Sequence, residues 1–365
     1  MRCLARTPAQ QCRIAKLARF AGRTYAQSGT WEENEMKHSL FRPFSILAFG
    51  IFATSGAANA QPAASSDYPT KPIRFVAPFA PGGTADIQSR ILGNKFQQLL
   101  GQPAVIDNRP GGSGTVGLRL VAEAPADGYT IVLNTVGAWT STPHLMKLPY
   151  DVFKDFAPII HVSDVPGVLV VHPSLPVKTV KELIALAKQK PEQLNYGSSG
   201  PGGFTHLGTV LFSRMTDTRM THVPYKSSGA GLIALIGGHI QVYLAPSVPV
   251  IPHIKSGKAR GIASTGTERI AILPDLPTVD ESGVPGFESS TWTAIAAPAA
   301  TPRAVIARLN KALQEILQMP DVRELFKASA AIITGGAPER FRDILKSDFE
   351  KFGKLIKEAG IKTES

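Results

Sequence analysis

Three turns rich in glycine, serine and threonine lie between a predicted strand and a predicted helix, an order that suits anion binding. The first turn, residues 78–86, follows an apolar strand at 73–77. The first N–H groups of a helix have no internal partner and the helix dipole is positive there, so a carboxylate or phosphate can bind without a charged side chain. Gly82 and Gly83 let a ligand approach the backbone, and Thr84 is the expected N-cap and a hydroxyl donor.

The same order of elements returns twice further along the chain. Residues 197–206 form a serine- and glycine-rich turn after a strand at 194–196, and a helix is expected from about Thr205. Residues 222–229 lead from another short strand into a helix. One such turn is common in α/β proteins, whereas three of them predict a site for a small anion.

These turns do not contain a catalytic set. Gly197-Ser-Ser-Gly-Pro201 is not the G-x-S-x-G of a hydrolase, since Pro201 stands where the last glycine belongs. His206 could serve Ser198 or Ser199 as a base, but no acidic residue is placed to orient it. The chain also lacks the glycine-rich nucleotide motifs and the histidine spacings of metal sites. We therefore expect no enzyme activity, no cofactor and no metal.

The composition is that of a globular chain with a mild positive charge. Of its 365 residues, 43% are hydrophobic and 18% charged, and the formal net charge is +11. Taking the 8 basic and 3 acidic residues of positions 1–60 away from 39 and 28 leaves a net charge of +6. No run of lysine and arginine is interleaved with aromatic residues, so nucleic acid is not an expected partner.

The first 60 residues are typical of an export signal. Residues 36–42 form a basic n-region, residues 43–53 an apolar h-region, and Ala58-Asn59-Ala60 fits the cleavage pattern. We interpret residues 36–60 as a signal peptide cleaved near Ala60, residues 61–67 as a linker, and residues 1–35 as a gene-model extension or a long n-region. The mature chain is expected in the periplasm, without a disulfide, because Cys3 and Cys12 precede the signal.

Strands and helices alternate through the rest of the chain, which predicts an α/β fold with a mostly parallel sheet. We expect one helix over residues 84–100, a strand at 168–172 and a short helix at 251–256. A further helix is expected to start with Thr301 as its N-cap and Pro302 at its first position.

The motifs of the chain, taken in order, resemble those of the Bug family, the substrate-binding proteins of tripartite tricarboxylate transporters. The resemblance covers nearly all of residues 68–360 and rests on 78–86, 108–112, 148–151, 196–202 with His206-Leu207, 223–226, Gly237-Gly238, 276–279 and 281–283. It implies a type II periplasmic-binding-protein fold, with two α/β lobes and a ligand cleft between them. Lobe 1 would comprise residues 68–170 plus 290–365, and lobe 2 residues 171–289.

The same resemblance implies a function. The chain would be a monomeric periplasmic receptor that captures a small carboxylate (a di- or tricarboxylate, an amino acid or an aromatic acid) for the membrane subunits of such a transporter. Two alternatives stay open at this point. One is a periplasmic sensor that presents its ligand to a signalling partner, and the other is a hydrolase that uses Ser198 or Ser199 with His206.

The ligand-binding residues that the resemblance implies come from both lobes. They are Pro81, Gly82, Gly83, Thr84, Asp86 and Thr135 from lobe 1, and Ser198, Gly200, His206, Tyr225 and Lys226 from lobe 2. Asp86 has a second interpretation, in which it complements the helix dipole and braces the loop. The chain departs from the family pattern at Ser227, Gln241 and 245–247, so the distal part of the pocket is expected to differ from that of its relatives.

Overall fold

A computed structural model describes residues 67–359 and residue 361. The predicted signal peptide, the segment before it, the cleavage site and both cysteines lie outside the described residues. No helix in the described part of the chain is long and apolar enough to cross a membrane.

Strands and helices alternate along the described chain. The strands are β1 (Ile73–Ala77), β2 (Ala104–Asn108), β3 (Thr130–Thr135), β4 (Phe156–Val171), β5 (Asn195–Ser198), β6 (Thr221–Pro224), β7 (Val242–Pro246), β8 (Arg260–Ser264), β9 (Ser290–Pro298) and β10 (Ile332–Ile333). The helices are α1 (Thr84–Gly93), α2 (Phe96–Leu100), α3 (Thr115–Ala122), α4 (Val136–Trp139), α5 (Thr142–Leu145), α6 (Val180–Gln189), α7 (Phe204–Thr216), α8 (Ser228–Ile236), α9 (Ser247–Lys255), α10 (Arg303–Gln318), α11 (Pro320–Ala328) and α12 (Pro338–Ala359).

Strand β4 takes part in both halves of the sheet. In the first half, β2, β1 and β3 are parallel, and β9 pairs antiparallel with β3 and with β4 up to Pro166. In the second half, β4 pairs antiparallel with β7 and β8 from Gly167 onward, and β5 is parallel to both β6 and β7. The chain therefore passes from the first half into the second within one strand and returns through β9.

Aromatic side chains anchor the last helix on the first half. The Trp139 ring meets the rings of Phe156 and Phe341 edge-on, with centroids 5.1 and 5.6 Å apart. Phe341 belongs to α12, and its ring also lies 5.7 Å from that of Trp292 on β9. Burying these large side chains ties the C-terminal helix to strands that come much earlier in the chain.

The helix predicted over residues 84–100 is in fact two helices, α1 and α2. The backbone tightens between them, since Lys95 donates its N–H to the Leu92 carbonyl oxygen at 3.0 Å, a three-residue spacing. The break follows Gly93, where a Cβ atom would lie 2.9 Å from Ile106 Cδ1. The glycine thus allows α1 to pack closely against β2 but weakens the helix where α1 ends.

Three further elements differ from their predicted bounds. Strand β4 extends well before the predicted 168–172, with irregular register beside Pro158. Helix α9 begins at Ser247 rather than at 251, because Pro249 lies in the first turn, where a missing N–H is tolerated. The N-cap of α10 is Pro302, one residue later than predicted.

Candidate functional site

Four helices of at least 9 residues begin around one small cavity. Thr84 opens α1, Phe204 opens α7, Ser228 opens α8, and Pro246 immediately precedes α9. All four residues line the cavity, whose volume is about 20 Å³. The other lining residues are Phe79, Ala85, Thr135, Ser199, Thr205 and Thr291.

The electrostatics of this cavity come from the backbone. None of the lining residues carries a charged side chain. The positive ends of these four helices therefore meet there, and α1 alone among them carries an acidic residue in its first turn, Asp86, which does not line the cavity. Helix α1 comes from the first half of the sheet, whereas α7, α8 and α9 come from the second. An anion between the halves would be stabilised by both.

Two buried hydroxyl groups in the cavity lack a hydrogen-bond partner among the described residues. Thr84 Oγ1 belongs to a residue that is 2% exposed, and Thr291 Oγ1 to one that is 3% exposed. A buried hydroxyl without a partner costs about 1–3 kcal/mol, so native proteins rarely keep one without a reason. Both hydroxyls are placed to donate to a ligand or to ordered water in the cavity.

The two halves approach each other through backbone and small side chains. Ser113 Oγ donates to the Pro201 carbonyl oxygen at 2.8 Å, and Ser141 Oγ to the Gly202 carbonyl oxygen at 2.5 Å. At Gly229, a Cβ atom would lie only 2.6 Å from the Gly82 carbonyl oxygen. The glycine turns of the two halves thus meet more closely than side chains would allow.

The first glycine turn differs from its prediction in one respect. Gly83, not Thr84, is the N-cap of α1, and Thr84 is the first helical residue. Gly82 has a φ of +83°, a conformation that favours glycine. Gly82 and Pro81 are exposed at the surface, and neither lines the cavity.

Asp86 is held by partners from its own turn, from the next turn of α1 and from β2. Its carboxylate accepts hydrogen bonds from the Gly82 N–H at 3.0 Å, from Arg90 Nε at 3.0 Å and from Asn108 Nδ2 at 2.9 Å. Burial alone would raise the pKa of Asp86, but the hydrogen bonds from Arg90, Gly82 and Asn108 outweigh it and hold that pKa below 3.8. This geometry favours the bracing role of Asp86 over direct contact with a ligand.

We expect Asp86→Asn to lower the free energy of unfolding by about 1–3 kcal/mol at pH 7, because charge-assisted hydrogen bonds are lost. A carboxylate with a lowered folded-state pKa stabilises the fold above its ordinary pKa of 3.8, and this contribution is lost as the pH falls through the folded-state value. Urea denaturation at several pH values should therefore show the two proteins converging below about pH 4. Asp343→Asn, which alters an exposed carboxylate, is the control. A constant gap between Asp86→Asn and wild type down to pH 2 would contradict the role given to Asp86.

The serine and histidine residues form a structural network. Ser198 Oγ lies 2.6 Å from His222 Nε2 and accepts a hydrogen bond from the Gly200 N–H. His206 Nδ1 accepts from the Gly202 N–H at 3.3 Å, and its ring lies 4.5 Å from that of His222. Burial, and to a lesser extent the nearby His222, lowers the pKa of His206 to about 4, so its ring is neutral near pH 7.

The pairing proposed for a hydrolase is therefore absent at His206. Ser198 is hydrogen-bonded to His222 and not to His206, and Ser199 Oγ lies 3.1 Å from Thr205 Oγ1.

Three of the predicted ligand-binding residues line a separate, outer hollow. Gly200, Tyr225 and Lys226 face a space of about 260 Å³ together with Met146 and residues 111–113. Ser199 lines both this hollow and the inner cavity. Of the eleven predicted residues, the inner cavity thus brings together only Thr84 and Thr135.

Most of the inner lining had no signal of its own in the sequence. Phe204, Thr205 and Ser228 lie at the ends of the turns at 197–206 and 222–229, so their positions at helix starts could have marked them. Thr291 is one residue of the largely buried strand β9 and carried no motif. Among the departures from the family pattern, only Pro246 reaches the cavity. Ser227 caps α8, and Gln241 accepts a hydrogen bond from the Asn195 N–H.

Two half-sheets joined by shared strands, with helix N-termini around a cavity between them, define the chain as a periplasmic binding protein in fold. Comparison with solved structures agrees with this fold. The chain is similar to the structure titled "R. palustris Rpa4515 with adipate", with a TM-score of 0.78 and 35% identity over 81% of this chain and 99% of the other. It is also similar to MatC from Rhodopseudomonas palustris with bound malate, with a TM-score of 0.76 and 29% identity over 79% and 100%.

The chain belongs to the tripartite tricarboxylate transporter family receptors, TctC, whose family model matches residues 88–361. Among curated proteins it is 34% identical to protein BugT of Bordetella pertussis over 87% of this chain and 98% of that one. The resemblance to the Bug family and the expected α/β periplasmic-binding-protein fold are thereby confirmed. The expectation of a mostly parallel sheet is wrong, because β4 and β9 pair antiparallel with their neighbours. The members of this family are solute-binding receptors and not enzymes, so the hydrolase alternative is wrong.

Proposed function

We propose that the chain captures a small carboxylate in the periplasm and delivers it to the membrane subunits of a tripartite tricarboxylate transporter. The observation that supports this most is the inner cavity, where four helix N-termini and the unpartnered hydroxyls of Thr84 and Thr291 meet without a charged side chain. Such a lining suits a carboxylate oxygen. Two related structures contain adipate and malate, both dicarboxylates, which favours small dicarboxylates as candidates.

The size of the cavity indicates that binding requires movement. A volume of about 20 Å³ holds about one water molecule and is too small for a dicarboxylate. We propose that the two halves of the sheet are the two lobes, residues 68–170 plus 290–365 and residues 171–289, and that they separate about β4 and β9 to admit ligand. Hinge closure of this kind is known for periplasmic binding proteins in general.

The remaining parts of the proposal concern location and the ligand's outer end. Residues 36–60 would direct export to the periplasm, where a monomer would meet its membrane partner. Gly200, Tyr225 and Lys226 in the outer hollow would contact those parts of a ligand that extend beyond the inner cavity. Ser198 and His206 would hold the turn that presents Ser199 to it.

A thermal-shift screen of the exported protein against mono-, di- and tricarboxylates tests the proposal. A ligand present at 100 times its Kd adds about 2.7 kcal/mol to the free energy of unfolding, a shift of several degrees. Isothermal titration of any hit should give a single site. The absence of both a shift and a binding heat across a broad carboxylate panel would overturn carboxylate capture, and binding of uncharged sugars alone would point to another ligand class.

A further inference from the structure

A ribbon of two strands separates the ligand cavity from a second, larger space. In the antiparallel pair of β4 and β9, Val165 lies opposite Thr291, and Pro166 lies opposite Ser290. Successive side chains of a strand point to opposite faces. Thr291 lines the inner cavity, whereas Ser290 and Pro166 line a groove of about 710 Å³. The groove, here called the rear groove, thus lies on the other face of the same ribbon.

The walls of the rear groove come from different halves of the sheet. One wall is α11 with the segment up to Ile333, and it packs with the first half. The other wall is residues 266–272 with Glu288, which belong to the second half. The two strands that join the halves form the floor between them. Any swing of the halves about this ribbon must therefore change the width of the groove.

The two walls carry opposite charges that do not meet. Arg323 and Lys327 lie on the α11 wall, with Glu324 between them, and Glu268 and Glu288 lie on the facing wall. All five residues are exposed, and in the described part of the chain no ion pair joins Arg323 or Lys327 to Glu268 or Glu288. The remaining charges are already engaged. Arg269 pairs with Glu281 at 2.9 Å, and Asp164 lies 3.1 Å from His161 Nε2.

We propose that the rear groove is a counter-latch that stabilises the open, ligand-free receptor. Because the ribbon lies between cavity and groove, opening the cavity narrows the groove and brings Arg323 and Lys327 towards Glu268 and Glu288. Ligand capture then separates these charges again. The groove thereby sets how tightly the distant cavity holds its ligand, since the apparent affinity scales with the population of the competent state. The affinity readout of this proposal rests on the proposed function.

The decisive test neutralises the basic wall with Arg323→Gln and Lys327→Gln. General electrostatics predicts that removing two positive charges weakens the binding of an anion. The counter-latch predicts the reverse, a roughly threefold to tenfold tighter binding, since exposed ion pairs are individually modest. Arg214→Gln with Arg219→Gln makes the same charge change on another surface and is the control. Exchanging the charges of the two walls, with Arg323→Glu, Lys327→Glu, Glu268→Lys and Glu288→Lys, should restore the wild-type affinity.

A distance measurement keeps this test independent of any ligand. Spin labels on cysteines introduced at two exposed residues of the exported protein, Lys147 in the first half and Ile233 on α8 in the second half, would report the separation of the halves. Neutralising the basic wall should shift the ligand-free distribution to shorter distances, and so should high salt. If no carboxylate binds, the proposed function fails while this measurement still decides the counter-latch.

A second variant, here called the wedge variant, tests the counter-latch without changing any charge, so the test does not depend on the folding of the charge variants. A Cβ atom at Gly266 would have no neighbour closer than 3.9 Å, so Gly266→Trp can add bulk to the rear groove without a local clash. The wedge should keep the groove wide and favour the closed receptor, whereas Gly266→Ala should have no effect. Unchanged distance distributions in both the wedge variant and the neutralised variant would overturn the proposal.

Discussion

Replacing Gly229 with alanine is expected to weaken carboxylate binding at least about 100-fold, or about 2.8 kcal/mol, while the protein still folds. The new Cβ atom would lie 2.6 Å from the carbonyl oxygen and 2.7 Å from the carbonyl carbon of Gly82. These are backbone atoms of the opposite half, and they cannot relieve the clash by rotating as the end of a flexible side chain can. The starts of α1 and α8 would therefore be held apart, and the cavity would not form around a ligand.

The folding of the Gly229→Ala variant should be unaffected, because alanine is the better helix former and the halves can separate. Isothermal titration with the carboxylate found in the screen measures the loss, and thermal unfolding without ligand monitors the fold. Gly266→Ala is a matched control, since its Cβ atom would have no neighbour closer than 3.9 Å and the residue does not line the cavity. That variant should bind within about threefold of wild type. Wild-type affinity in Gly229→Ala would show that the contact between the turns is not needed for binding.

Replacing Thr291 with valine is expected to lower affinity and to leave the ligand-free protein equally stable or more stable. The hydroxyl is buried without a partner, and valine has nearly the same shape. Removing an unpartnered hydroxyl ends its desolvation cost of about 1–3 kcal/mol. A hydrogen bond to a charged ligand contributes about 1.5–3 kcal/mol, so its loss should weaken carboxylate binding by roughly 10-fold to 100-fold.

Thr293, two residues along the same strand, is the control, because its replacement is expected to have the opposite effects on stability and affinity. Its Oγ1 donates to Gln88 Oε1 at 2.7 Å and lies 3.1 Å from Ser163 Oγ. Thr293→Val should therefore destabilise the fold, because the Gln88 oxygen loses its donor, but should leave ligand affinity nearly unchanged. Chemical denaturation and titration of both variants separate the two effects. If Thr291→Val destabilised the ligand-free protein and bound normally, Thr291 would be a structural residue.

The sequence predicted the elements that bear a local signal. The strand at 73–77 is found where it was expected, and helices begin after all three glycine turns, because apolar spacing and turn residues act over short range. Thr84 as N-cap was wrong by one residue, since Gly83 takes that position in extended backbone. Such shifts at helix ends do not change which side chains face the cavity.

The parts that the sequence could not predict depend on pairing across the whole chain. The length of β4 follows from its antiparallel partners β9, β7 and β8, which lie 70 or more positions away. Thr291 reaches the cavity only because of its register opposite Val165. The division of the predicted residues between an inner cavity and an outer hollow likewise depends on how the two halves meet, which no local pattern encodes.

The origin of the four helices around the cavity has a consequence for unloading. One helix start belongs to the first half and three to the second, so a carboxylate feels the full field only while both halves surround it. Under the proposed function, a membrane partner that separates the halves would move the start of α1 and the Thr84 hydroxyl away from the bound carboxylate together. Release of the carboxylate would then need no chemical step and no change in the protonation of the receptor.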